Sequence, residues 1–251
     1  MKFITKLLAA LVLLPLLALA EGYPLDHAPD RSNDMSALQN GAKLFVNYCL
    51  NCHGARSMRY SRLKDLGLTD DQIRASLLLA GDKVGDLMTS NLTVKDAKEW
   101  FGVAPPDLSV IARSRASEAG SGPDWLYTYL RSYYKDDTRP TGWNNMVYPN
   151  VAMPHVLWEL QGVQGAEFAE VTDEADHVKR LEFKKFVTIT PGKLSALDYD
   201  HNVADLVAYL TWMGEPAQNT RKRLGVWVLI WLSMLSFLVW RLNASYWKEV
   251  K

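Results

Sequence analysis

Apolar positions form two long runs near the ends of the chain and helical stripes between them. Leu7 to Leu17 is one run; Leu224 to Trp240 is the other and holds no charge. Between them, Leu38, Ala42, Phe45 and Cys49 fall at i, i+4, i+7 and i+11, one face of a helix. Thr69-Asp70-Asp71-Gln72 has the form of a capping box and opens a helix through Ile73 and Leu77. Asp124 precedes a predicted helix bearing Trp125, Tyr129 and Leu130. Val203, Leu206, Val207 and Leu210 mark another, stopped by Gly214 and Pro216. Only Leu181 to Thr190 has the β-rich composition of a short strand or hairpin. The pattern predicts a mainly α fold with long irregular loops. No internal repeat divides the roughly 200 residues between the runs, enough for one well-buried domain.

The terminal runs assign the compartments. Lys2 and Lys6 precede the first run, and Ala18-Leu19-Ala20 ends it with small residues, so 1–20 reads as a cleaved export signal with Glu21 as the first mature residue. The second run covers about 25 Å at ~1.5 Å per residue, and Leu242 to Trp247 extend it toward the ~30 Å of a hydrocarbon core. Arg223 and Arg241 bracket it, while Trp227, Trp240, Tyr246 and Trp247 suit interfacial belts. The expected division is a signal at 1–20, an exported domain at 21–220, and an anchor with a short cytoplasmic tail at 221–251.

The formal charge of zero, from 28 basic and 28 acidic residues, conceals a separation. Two basic residues lie in the signal and six at or after Arg221, where Glu249 is the sole acid. The exported part is therefore strongly acidic, which attracts a cationic partner and excludes nucleic acid as one. Glu167, Glu170, Asp173, Glu174 and Asp176 form its densest acidic cluster, a candidate steering surface for a basic protein.

Cys49-Leu50-Asn51-Cys52-His53 carries the chemistry, and these are the only two cysteines in the chain. The CxxCH spacing lets two thiols add across the vinyl groups of one heme while the next histidine binds its iron. A structural zinc site wants four ligands, and no second pair exists. A thioredoxin-like CxxC belongs in a βαβ setting, whereas this segment reads as helix.

An electron-transfer heme takes a second axial ligand, and thioether ligation raises its potential. Met153, in Val151-Ala152-Met153-Pro154, is the best candidate because proline holds the loop. Met146 is the runner-up, His155 is a rival two residues on, and Met213 reads as core packing. Ala104-Pro105-Pro106-Asp107-Leu108-Ser109 forms a stiff apolar turn suited to a heme wall, followed by Arg113 and Arg115, either of which can pair with a propionate. No nucleophile–base constellation stands out, which agrees with a carrier role.

The order of these features resembles the cytochrome c1 family, the heme subunits of cytochrome bc1 complexes. The resemblance rests on the export signal, CLNCH, APPDLS followed by IARSR, AMP, and one C-terminal anchor, and it covers nearly the whole chain. It implies a cytochrome c-type heme domain with long loop insertions plus one transmembrane helix, and one covalent heme c. Cys49 and Cys52 would form the thioethers, with His53 and Met153 axial, Pro106 against the ring, Arg115 near a propionate, and Trp125 beside the heme. Gly41, Phe45 and Tyr209 would form the crossed-helix contact of the fold. The implied partners are cytochrome b, a Rieske iron–sulfur protein, soluble cytochrome c and membrane lipid, within a dimeric complex. The implied location is a bacterial inner membrane, with the heme domain periplasmic and the C-terminus cytoplasmic. Some relatives brace the sixth-ligand loop with a disulfide; here Trp143, Tyr148 and Trp158 are expected to brace it by packing. Asn144-Asn145 and His155-Val156 depart from the family's usual residues. Other readings are a stand-alone membrane-anchored cytochrome and a heme-based gas sensor.

Overall fold

The main helices ahead of the long C-terminal apolar run begin where a short polar side chain meets the unpaired amides of the first turn, each cap worth about 1 kcal/mol. In the computed structural model, which describes residues 22–172 and 179–249, Asp34 caps α1 (Met35–Leu44). Thr69 and Gln72 close the expected reciprocal box on α2 (Asp70–Ser76). Thr93 caps α3 (Val94–Phe101), and α4 (Ile111–Ser114) is a single turn. Ser121 caps α5 (Gly122–Arg131), which places Asp124 inside the helix and not ahead of it. Asp124 instead holds the N-terminal segment: its Oδ1 accepts from the Ala28 amide at 2.8 Å.

The core forms where α1 crosses α7 (Ala196–Gly214), the long helix predicted by the stripe from Val203 to Leu210. Gly41 lets the backbones meet. A Cβ there would stand 2.1 Å from the Asp205 carbonyl oxygen and 2.6 Å from Tyr209 Cβ. Phe45 and Tyr209, both fully buried, pack beside it with ring centroids 5.6 Å apart. α5 docks on the other side of α7. The Tyr199 hydroxyl donates to the Leu130 carbonyl at 2.8 Å, and Arg131 grips Asp200 with two bonds of 2.6 and 3.0 Å.

Among the described residues strands occur as three separate antiparallel pairs. β1 (Ala55–Arg59) pairs with β2 (Leu87–Met88), and β3 (Tyr133–Lys135) with β4 (Trp143–Asn145). The expected short strand at Leu181–Thr190 is part of one arm of a much longer hairpin, β5 (Gly162–Thr172) with β6 (Lys179–Pro191). The small residues Gly162, Gly165, Ala166 and Ala169 hid the first arm from a propensity reading. Aromatic packing crosses between the arms: Phe183 of β6 packs on Phe168 of β5, on Phe186 of its own strand and on Tyr23. Between β4 and β5 lies the short helix α6 (Trp158–Gln161).

α8 (Gln218–Tyr246) runs 29 residues, about 44 Å at 1.5 Å per residue. None of it is buried, and its most apolar stretch has a mean hydropathy of 1.8. It is long and apolar enough to cross a membrane, as the anchor reading requires. The expected signal at 1–20 lies outside the described residues.

Candidate functional site

At its C-terminal end α1 widens into a π turn over Phe45–Cys49, a distortion frequent at functional sites. The chain then folds back: the Cys52 and His53 amides both donate to the Cys49 carbonyl, at 3.1 and 2.8 Å. Cys49, Cys52 and His53 thereby line one wall of an apolar cavity of about 460 Å³. Burial, helped by Cys52, pushes the Cys49 thiol up to about 12, and burial also raises Cys52. Burial thus disfavours the thiolate form of both.

The APPDLS turn closes over this wall. Leu108 N donates to the Gly54 carbonyl at 2.8 Å, and Asp107 accepts from the Arg56 amide at 2.8 Å. His53 Nδ1 lies 2.7 Å from the Pro106 carbonyl oxygen. A carbonyl only accepts, so the proton sits on Nδ1 and the Nε2 lone pair is left for a metal, the usual second-sphere arrangement of a ligand histidine. Burial also lowers the His53 pKa, against the opposing pull of Pro106 and Asp107, which keeps the ring neutral.

Met153 and Pro154 line the same cavity, with Pro105, Pro106, Trp125 and Tyr129. Among the described residues Met153 is the one methionine in the lining. Met146 is outside it, and Met213 is buried in the core, as expected. His155 also stays out of the cavity. It is buried, stacks on Tyr133 at 4.8 Å with an 8° interplanar angle, and is driven down to about 4 chiefly by burial, so it is neutral. Of the two arginines, Arg115 lines the cavity, 4.6 Å above the Trp125 ring; Arg113 is exposed and outside it.

The expected aromatic brace on the Met153 loop is corrected in part. Trp143 does pack edge-on against His155 at 5.1 Å, but Tyr148 and Trp158 are about half exposed. Two buried asparagines hold the loop instead. Asn145 Oδ1 accepts from the Val147 and Tyr148 amides at 2.9 and 3.1 Å, and its Nδ2 donates to the Tyr129 carbonyl at 2.8 Å. Asn144 Oδ1 accepts from Asn150 N at 2.8 Å, at the one non-glycine residue of positive φ (63°) among those described. Sequence reasoning marked these asparagines as departures without finding their role. Of the acidic cluster, Glu167 faces Lys185 at 3.6 Å and Glu170 faces Lys179 at 3.1 Å across the hairpin. Asp173, Glu174 and Asp176 lie outside the described residues.

Two thiols, a neutral imidazole with its far nitrogen already bonded, and a thioether thus surround one apolar cavity with an arginine at its border. That donor set fits heme c. A zinc-type site does not compete: no group of three or more His, Cys, Asp or Glu side chains suited to a metal occurs among the described residues.

Comparison with known proteins agrees. The Cytochrome C1 family model matches residues 27–250. Cytochrome c1 of Allochromatium vinosum is 45% identical, over 94% of this chain and 93% of that one. A protein of Nitrosomonas europaea named ammonia monooxygenase gamma subunit is 44% identical over the full length of both. Cytochrome c1 of Rhodospirillum rubrum is 28% identical over 87% of this chain and 83% of its own. With the family model spanning the π turn, the cavity and the long apolar helix, the chain belongs to the cytochrome c1 family, whose heme c its cavity is suited to hold.

Proposed function

We propose that this chain is the electron-carrying subunit of a cytochrome bc1 complex, accepting one electron from a Rieske iron–sulfur protein and passing it to a soluble cytochrome c. In this reading residues 1–20 are removed on export, 21–220 lie in the periplasm, and 221–251 anchor the chain with its C-terminus in the cytoplasm. It sits beside cytochrome b in a dimeric assembly. When bound, heme c supplies a one-electron iron couple; the chain supplies everything that keeps it a carrier. Cys49 and Cys52 would hold the ring covalently, His53 and Met153 would supply the protein ligands to its iron, and Arg115 would pair with a propionate. Pro105, Pro106, Leu126 and Leu130 exclude water from its faces.

The observation that carries this reading is the pairing of His53, tied through Nδ1 to Pro106, with Met153 in one apolar cavity. A gas sensor needs an open or weakly held sixth position. The monooxygenase role named for the Nitrosomonas relative would need such a position or a separate metal cluster. The acidic balance of the exported domain suits a basic acceptor. Glu167 and Glu170 are already paired with lysines across the hairpin, which leaves them less of the steering.

The test is affinity isolation of the full-length chain from native membranes in mild detergent. Cytochrome b and an iron–sulfur protein should co-purify, and added quinol should reduce the heme of this chain. Recovery of the chain alone, with a heme that quinol leaves oxidised, supports the stand-alone cytochrome instead.

A further inference from the structure

Behind Met153 stand two buried tyrosines, Tyr129 in the cavity wall and Tyr133 beyond it, that the carrier role does not by itself require. The Tyr129 hydroxyl lies 3.4 Å from Met153 Sδ and 2.5 Å from the Tyr133 hydroxyl. Tyr129 is held flat against Trp125, with ring centroids 4.7 Å apart at 15°. Tyr133 is fully buried and stacked on His155.

The direction of the two bonds follows from the protons available. Each hydroxyl carries one proton and can also accept; a thioether only accepts. Among the described residues the Tyr133 hydroxyl has no partner other than Tyr129. Were Tyr129 to donate to Tyr133, the Tyr133 proton would have no acceptor in the core, which buried polar groups rarely tolerate. One arrangement uses both protons: Tyr133 donates to Tyr129, and Tyr129 donates to sulfur. Hydrogen bonds in such a chain polarise one another, so Tyr133 strengthens the bond that Tyr129 makes.

We infer that Tyr133 and Tyr129 form a directed hydrogen-bond relay onto the Met153 thioether that raises the midpoint potential of the heme. The inference rests on Met153 being the iron ligand. A sulfur that binds iron through one lone pair keeps another for Tyr129. Donation into that second pair withdraws electron density from the sulfur. The ferric state depends more on ligand donation than the ferrous, so it is the one disfavoured, and outer-shell hydrogen bonds tune metal sites in this way. Tyr129 and Tyr133 are positioning and tuning residues, the second acting through the first.

The test uses the full-length heme-loaded protein, with Tyr129→Phe, Tyr133→Phe and the double variant, since phenylalanine keeps both ring stacks. Midpoint potentials are read by spectroelectrochemical titration, and ligation by the far-red sulfur-to-iron absorption band. Tyr129→Phe should shift the oxidised-to-reduced ratio at fixed potential three- to tenfold toward oxidised, about 30 to 60 mV at roughly 59 mV per decade. Tyr133→Phe should shift it the same way by less, and the double variant should match Tyr129→Phe alone. An unchanged potential in Tyr129→Phe with the band retained overturns the relay, as does full additivity of the two substitutions. Should Tyr129→Phe disturb ligation and lose the band, Tyr133→Phe, which does not touch Met153, decides: a lowered potential supports the relay and an unchanged one ends it. A wild-type protein without the band defeats the ligand assignment itself, a separate outcome.

Discussion

Replacing Met153 with alanine is expected to turn a closed electron-transfer heme into one that binds carbon monoxide stoichiometrically when reduced. The thioether is the group at Met153 that can hold the sixth position, and among the described residues the rival methionine and histidine are badly placed to replace it. Met146 lies outside the cavity lining, and His155 is locked in its stack on Tyr133. The wild-type chain should resist carbon monoxide and show the far-red sulfur-to-iron band; Met153→Ala should lose the band and gain the ligand. Because thioether ligation raises the potential, the variant should also favour the oxidised state, by roughly a hundredfold, or about 120 mV at 59 mV per decade. A Met153→Ala protein that keeps its band and still excludes carbon monoxide would show that another side chain is the ligand.

The second large effect lies 112 residues earlier in the chain, at the helix crossing that shapes the cavity floor. Gly41→Ala places a methyl group 2.1 Å from the Asp205 carbonyl oxygen and 2.8 Å from its carbon. These are backbone atoms of α7, so no rotamer change relieves the overlap; the helices must separate. Separation opens the Phe45–Tyr209 contact. It also strains the buried polar seam at the same crossing, where Arg31 pairs with Asp205 and Asn40 donates to Asp205 Oδ2 at 2.8 Å. Overpacking of this kind costs about 3 kcal/mol or more. For a domain of this size that lowers the thermal midpoint by about 6 to 12 °C. Calorimetry or heme absorbance during heating of the full-length protein measures it. A midpoint within about 1 °C of wild type would mean that the helices do not meet as closely as described here.

How far these sites were legible in the chain depends on whether each feature is local. The stripe Leu38, Ala42, Phe45, Cys49 announced α1 and its buried face, because helical periodicity is a short-range signal. The widening into a π turn just before Cys52 was not legible, since it follows from how the turn is held and not from any residue preference. CLNCH and APPDLS could be read separately. That one donates the His53 Nδ1 proton to the other's Pro106 carbonyl, 53 positions away, is a tertiary fact. Ser121-Gly122-Pro123-Asp124 carried a readable S-x-x-D cap, and choosing Asp124 as the start of the helix overlooked it. Asn144 and Asn145 gave no signal of their own, because their partners, mostly backbone groups, are spread from Tyr129 to Asn150. The Tyr129–Tyr133 pair was hidden for a related reason. The two are four apart, the spacing of helical neighbours, but the helix ends at Arg131 and Tyr133 opens a strand.

The most direct measurement of the central claim is tandem mass spectrometry of the full-length protein after denaturation and proteolysis. The fragment containing Cys49 to His53 should carry one heme, linked through both cysteine sulfurs, with no free thiol left on it. The same fragment recovered without heme, as two free thiols or as a Cys49–Cys52 disulfide, would contradict the account.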